Sequence, residues 1–290
     1  MIVIDKPAGI TSHDVVGRVR RLVQTRKVGH LGTLDPLATG VLPLVIGRAT
    51  RLAQFFSAGE KKYDASIRFG YSTDTYDRDG SPASPQVEPV FSREDLESAL
   101  GKFRGKFMQT PPPVSAKKIA GTPAYKLARK HIAVELESVE VNVQALELLE
   151  MSGPVARIAV HCSSGTYVRS IAHDVGQLLG CGAFVDQLRR TASGEFTEER
   201  SHTLERLAAL AGSGRLDEAL IPAAQLLPDF PNALVDTATV GNIRHGRDFR
   251  LSPFRPQPSA KYVKALSEDG RLIAIGEARL PHLYHPVLVL

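Results

Sequence analysis

The sequence predicts an α+β fold, in which a mixed, largely antiparallel central sheet is flanked by helices and followed by a small C-terminal β-domain. Three observations predict it. Apolar and polar residues alternate over Tyr63 to Phe69 and Val139 to Gln144, and apolar residues fall at every second position from Ala156 to Cys162, the period of half-buried strands. Apolar residues recur at helical spacing in Val15, Val16, Val19, Leu22 and Val23, and again in Val168, Ile171, Ala172, Val175, Leu178 and Leu179. The tail carries Val263 to Ala265, the turn residues Glu268-Asp269-Gly270, then Leu272 to Gly276, which together read as a hairpin. A chain of 290 residues has room for one large domain and one small one.

Composition narrows the function classes. The chain is 43% hydrophobic and 23% charged, ordinary for a folded protein. Its formal charge of +5 suits a polyanionic partner without requiring one. No run of about eighteen apolar residues occurs, so no membrane span is expected. Met1 to Pro7 is charged too early for a signal peptide, which makes the cytoplasm the expected compartment. Cys162 and Cys181 form neither a disulfide framework nor a paired metal motif, and no two of the nine histidines stand at a zinc-binding spacing. No metal site is expected.

In chain order, a short apolar strand leads to Lys6-Pro7-Ala8-Gly9-Ile10-Thr11-Ser12, with Ser12 the expected N-cap of the first helix and Asp14 in its first turn. Arg18, Arg20 and Arg21 fall off the apolar stripe of that helix. They are either a solvated face or phosphate contacts. Gly29 to Gly40 then holds three further landmarks: glycines at 29, 32 and 40, Pro36, and a single carboxylate, Asp35, between Leu34 and Leu37. Such a stretch is a loop of demanding backbone geometry, and Pro36 pushes Asp35 into an extended conformation. An acid in this setting is either an aimed carboxylate or one that closes its own turn. The loop feeds Val41 to Ile46, a buried strand with a bulge or edge expected at Pro43.

Tyr63 to Phe69 follows as a half-buried strand. Gly70 to Gly80 is an acidic turn region whose carboxylates lack the closing Glu of a calcium loop. Ser92-Arg93-Glu94-Asp95 reads as a capping box opening a helix to about Leu100. Thr110 to Lys118 carries three successive prolines, which favour an extended conformation, and Pro123 opens a short basic helix. Arg169 stands at the start of the helix over 168–179 but off its stripe, where an exposed arginine is the ordinary outcome. Two apolar helical segments are expected at Leu204 to Leu210 and Asp217 to Leu227, then a linker to Pro231.

Several of these stretches match a known pattern. Gly29-His30-x-Gly32-Thr33-Leu34-Asp35-Pro36-Leu37-Ala38-Thr39-Gly40-Val41-Leu42-Pro43 resembles the active-site signature of the TruB family of tRNA pseudouridine synthases. Lys6-Pro7-x-Gly9-x-Thr11-Ser12, Lys61-x-Tyr63, Thr73-Asp74-Thr75-x-Asp77, Cys162-Ser163-x-Gly165-Thr166-Tyr167-x-Arg169 and Arg189-Arg190-Thr191-x-Ser193-Gly194 resemble further motifs in the same order. The likeness covers about residues 3 to 200. Leu31, Ser138 and Phe184 depart from the family's usual residues.

The resemblance implies a pseudouridine synthase fold over residues 1–227, with a thumb-like RNA-binding insertion at about 105–133, and a PUA-like β-barrel over 232–290. It implies an isomerase that turns uridine 55 in the T-loop of tRNA into pseudouridine. The N1–C1′ bond breaks, the base turns while held, and C5 joins C1′. No electrons or groups are lost, so no cofactor is expected. The expected catalytic residues are Asp35, its partner Arg169, and Tyr63 against the extruded base. His30, Leu188, Lys6, Thr33, Asp77 and Lys117 are expected at the substrate. The expected partner is the T stem-loop of tRNA, and the expected state is a monomer. Two other readings share some of these features: a non-catalytic RNA-binding protein on the same fold, and a carboxylate hydrolase, which would need two opposed acids.

Overall fold

The computed structural model describes residues 1–115, 136–251 and 260–290, together with the backbone of two two-residue strands at 118–119 and 122–123. The larger sheet is assembled from β1 (Ile2–Lys6), β2 (Val28–His30), β3 (Thr39–Ile46), β4 (Lys61–Phe69), β5 (Gly105–Gln109), β8 (Val139–Ser152), β9 (Val155–Cys162), β10 (Ala183–Ser193) and β11 (Phe196–Thr197), the short strands Lys118–Ile119 and Thr122–Pro123 being β6 and β7. Its order is β1-β3-β10-β4-β9-β8-β5, with β2 also on β3 and β11 also on β10. Every pairing is antiparallel except β3 with β10, which run parallel through Thr39 and Gly40.

The helices are α1 (Ser12–Leu22), α2 (Arg93–Gly101), α3 (Val168–Leu178) and α4 (Leu204–Gly212), and they share one apolar core on one face of this sheet. The other face, beneath β1 and β3, is covered by the C-terminal domain. That domain is a five-stranded sheet of order β12-β14-β15-β16-β13, from β12 (Asn232–Val235), β13 (Phe249–Arg250), β14 (Tyr262–Ser267), β15 (Leu272–Leu280) and β16 (Leu283–Val289), with α5 (Thr237–Arg244) beside it. Burial on two faces explains the unbroken apolar runs of β1 and β3. Ile2, Ile4, Leu42 and Leu44 point to the helices, whereas Val3, Val41 and Val45 pack with Leu266, Leu272, Ile275 and Leu288 of the C-terminal domain.

Several expectations are revised. Pro43 introduces no bulge: the β1–β3 register runs unbroken from Ile2 opposite Leu44 to Lys6 opposite Gly40. On its other side Pro43 falls between the segment that pairs with β10 and the segment that pairs with β2, so its missing N–H interrupts no ladder. The N-cap of α1 is Thr11, not Ser12, and it forms a capping box with Asp14. Gly105–Gln109, expected at the base of the thumb, is a strand of the main sheet; of the rest of that expected insertion, residues 110–115 and the two short strands at 118–119 and 122–123 are described. Residues 217–227 form two short 3-10 turns rather than a helix, with Pro222 between them. The strand expected at 139–144 continues to Ser152. Among the described residues, no helix is long and apolar enough to cross a membrane.

Candidate active site

The loop between β2 and β3 is held from beneath by its own leucines. Leu34, Leu37 and Ala38 are buried in the core, and two leucines at such sites contribute about 1.5–3 kcal/mol each. Ser12, released from capping, is buried and exchanges hydrogen bonds with Leu34: its hydroxyl donates to the Leu34 carbonyl at 3.0 Å and accepts from the Leu34 N–H at 2.8 Å. Lys6 lies under the loop, wholly buried. Its ammonium donates to the carbonyls of Pro7, Pro36 and Ala38 at 2.9, 3.2 and 2.7 Å. Burial lowers its pKa to about 8, while the negative charge of Asp35 works in the opposite direction. A lysine with its three protons engaged below the loop braces that loop.

The loop's outer edge is held by Arg190, which is 1% exposed. Its Nε donates to the Val41 carbonyl at 2.7 Å and its Nη2 to the Gly32 carbonyl at 3.2 Å. Gly40 is required where β3 crosses β10: its φ is +98°, and a Cβ there would lie 2.2 Å from the Arg190 carbonyl oxygen.

With the loop fixed, Asp35 meets Arg169. Nη2 of Arg169 donates to Oδ1 of Asp35 at 3.0 Å, and Nε stands 2.9 Å from Oδ2 as an ionic contact without an aligned N–H. The guanidinium is 3% exposed and the carboxylate 32%, so one member is sealed while the other keeps a face toward solvent. Arg169 also gathers three more groups. It donates to the carbonyls of Thr75 at 2.7 Å and Val114 at 2.9 Å, and lies 3.3 Å from Oδ2 of Asp77. Asp77 therefore faces the same cation from behind. Burial raises its pKa; the Thr75 hydroxyl and Arg169 oppose that shift, and the nearby Asp35 adds to it.

A cavity of about 420 Å³ opens beside this pair, lined by Thr33, Asp35, Lys61, Tyr63, Leu188 and Arg190 among others. Tyr63 is half-buried, and burial raises its hydroxyl pKa against the opposing charge of Arg190. The phenol is thus neutral near pH 7, a donor rather than a phenolate. Leu188 supplies an apolar wall. Thr33 stands exposed at the rim. His30 is on β2 and Asp77 in the acidic turn, and neither lines the cavity. Burial, with Arg190 and His13, holds the His30 pKa below its usual value, and its buried Nδ1 has no hydrogen-bond partner. Lys117 lies outside the described residues.

Two cations at this cavity had no assigned role. Lys61 is buried, donates to the Gly59 carbonyl at 2.7 Å, and has its pKa lowered to about 8 by burial and by Arg190. Both were reachable by period two: Lys61 shares a face of β4 with Tyr63, and Arg190 shares a face of β10 with Leu188. Arg169 is the opposite case. Its periodicity put it outside, yet the fold covers it with the loop of Asp35, the acidic turn and the chain at Val114.

The three departures from the resemblance have local partners. Leu31 packs into the apolar cluster between the two domains. Phe184 is buried against Tyr71, with ring centroids 4.9 Å apart. Ser138 shares a hydrogen bond with Thr110 at 2.9 Å.

Comparison with known proteins gives a consistent picture. The family profile described as TruB family pseudouridylate synthase, N-terminal domain, matches residues 20–168, and that of the tRNA pseudouridylate synthase B C-terminal domain matches 169–228. A protein of Solibacter usitatus named tRNA pseudouridine synthase B is 60% identical over 290 residues, spanning 100% of this chain and 99% of the relative. A solved chain from a Cbf5-Nop10-Gar1 complex superposes with a TM-score of 0.71 at 27% identity, covering 96% of this chain and 77% of that one. Another, from an H/ACA RNP bound to a substrate RNA containing 2′-deoxyuridine, gives 0.70 at 26% identity, covering 96% and 77%.

Proposed function

Because the chain belongs to the TruB family of pseudouridine synthases, we propose that it converts uridine 55 in the T-loop of tRNA to pseudouridine, with Asp35 as the reacting carboxylate. It is an isomerase acting on uridine in tRNA. The observation that carries the finer reading is the Asp35–Arg169 contact at the mouth of the cavity lined by Tyr63 and Leu188. The carboxylate is steered by a cation behind it and left open on the side where a base would enter.

The chemistry follows from that arrangement. A stacked uridine hides its glycosidic bond, so it must leave the stack at a cost of roughly a few kcal/mol. Tyr63 and Leu188 offer the flipped base one aromatic face and one aliphatic face. Asp35 acts at the nucleoside as the N1–C1′ bond breaks. The base stays held while it turns, and the C5–C1′ bond forms as C5 gives up its proton and the freed N1 takes one up, so that the product is an isomer of the substrate. Arg169 keeps its charge throughout and holds the carboxylate in one orientation. Tyr63, a protonated phenol, supplies a hydrogen bond in the cavity. Lys61 adds positive charge at the wall. The T stem-loop is bound as a polyanion by a chain of net charge +5, and the reaction takes place in the cytoplasm.

Asp35→Asn tests this reading. Turnover, followed by tritium release from a uridine-labelled tRNA transcript, is expected to fall below about a thousandth of wild type while RNA binding persists. Appreciable turnover by this variant would overturn the assignment of Asp35.

A further inference from the structure

The turn that faces Arg169 contains an aromatic contact with no place in the chemistry above. Tyr76 stands between Thr75 and Asp77 and holds a left-handed φ of +63°, a conformation that a residue with a bulky side chain rarely adopts. Its ring lies flat on the imidazole of His173, with centroids 3.7 Å apart and planes 12° from parallel. His173 comes four residues after Arg169 on α3, one turn along the same face. The turn and α3 therefore meet through two adjacent rungs. In one, Arg169 takes the Thr75 carbonyl and the Asp77 carboxylate. In the other, His173 takes the Tyr76 ring.

The backbone of the turn is already tied to β10. The Val185 N–H donates to the Tyr76 carbonyl at 3.0 Å, and the Arg78 N–H donates to the Val185 carbonyl at 3.0 Å. Those bonds fix the turn against the sheet. They do not fix its distance from α3, which is what aims Asp77 and Thr75 at the guanidinium. The imidazole fits the task of a flat spacer: its Nδ1 is buried without a hydrogen-bond partner, and burial lowers its pKa, so the ring is neutral.

We propose that Tyr76 and His173 form a positioning pair that sets the Thr75–Asp77 turn against α3, and thereby holds Arg169 aimed at Asp35. The pair touches no substrate; it acts through Asp77 and Arg169. This rests on the reading of Asp35 and Arg169 as the reaction centre.

The test compares Tyr76→Phe, which keeps the ring, with Tyr76→Asn, which tolerates the left-handed backbone but removes it. Single-turnover tritium release and RNA affinity are measured on a T-arm transcript, and the Nε–H signal of Arg169 is followed by NMR. Tyr76→Phe is expected to keep at least half the wild-type rate. Tyr76→Asn is expected to lose about tenfold in rate, with Kd changed less than about twofold and the Arg169 signal exchanging faster with water. His173→Ala is expected to match it, which keeps the test decisive if Tyr76→Asn does not fold. A wild-type rate in either ring-removing variant, or an unchanged Arg169 signal, would overturn the pair. So would a loss confined to RNA affinity, which would put the ring on the substrate. A wild-type protein that forms no pseudouridine would instead overturn the reading of the reaction and leave the Arg169 signal to judge the pair.

Discussion

At the loop of Asp35, Lys6 donates to the carbonyls of Pro7, Pro36 and Ala38; at the junction of the two domains, Lys264 donates to those of Ala224 and Leu226 at 3.1 and 2.8 Å. Both lysines are buried, and burial lowers the pKa of each. Their surroundings differ. Around the loop, Lys6, Lys61, Arg169 and Arg190 surround Asp35, Asp77 backs Arg169, and Asp35 keeps a face open to the cavity. At the junction, Phe55, Phe230 and Tyr262 form a ring trio with centroids 5.3–5.7 Å apart, and Leu226 and Leu227 complete an apolar seal. Glu195 accepts from the Leu227 N–H. The same device, a buried ammonium on backbone carbonyls, thus serves a rigid charged rim in one place and a closed hydrophobic joint in the other. Backbone fixation is general; an excess of cations around a partly exposed acid is particular to the site.

That contrast is sharpened first by Lys6→Met. The substitution takes the ammonium away from three carbonyls, of which Pro36 keeps the Gly9 N–H at 2.9 Å, and frees the loop that carries Asp35; each carbonyl left unpaired costs about 1–3 kcal/mol. Turnover is expected to fall by about a hundredfold or more, because a displacement of about 1 Å suffices for that, and the melting temperature falls with it. Wild-type turnover in this variant would erase the distinction between the two lysines.

Arg190→Lys comes next. A lysine cannot reach the Val41 and Gly32 carbonyls together, so turnover is expected to fall about tenfold or more in a single-turnover assay. Lys264→Met is the counterpart at the joint. Loss of about 1–2 kcal/mol in denaturant unfolding is expected, with kcat within about twofold of wild type. A large fall in kcat there would mean that the joint controls the loop.

The smallest effect concerns Asp174, beside the Tyr76–His173 stack, whose pKa burial pushes up to about 6. A carboxyl with a folded pKa above its unfolded value binds its proton more tightly in the folded state. Stability is therefore lost as pH rises from about 4 through 6. Asp174→Asn removes that dependence. It is expected to melt higher than wild type at pH 7.5 and at the same temperature near pH 4, as read by thermal unfolding at the two values.

Much of the fold was legible because its signals are local. The alternation in β4 and β9 and the stripe in α3 each depend on residues a few positions apart, and the Ser92 capping box opens α2 where the pattern put it. The loop read over Gly29 to Gly40 was legible at its centre, Leu31 to Ala38, where Gly32 and Pro36 restrict the backbone, whereas its two ends are paired as the last residues of β2 and the first of β3. Misreadings arose where a neighbour distant in sequence had the stronger claim. Ser12 left the helix cap because Leu34, 22 residues on, offers both a donor and an acceptor in a buried setting. The segment at 217–227 is apolar enough for a helix, but Pro222 removes a donor and packing against the joint takes the leucines.

The sequence by itself determined the periods, the breaks and the family of this chain, because side-chain direction and backbone restriction are properties of a few adjacent residues. Only the tertiary structure decided which charges meet. Asp35 and Arg169 are 134 residues apart, and Arg190 reaches Gly32 across 158. A guanidinium becomes a director of a carboxylate only when the fold removes water from around it and supplies carbonyls for its remaining protons, and no short stretch of sequence carries that information.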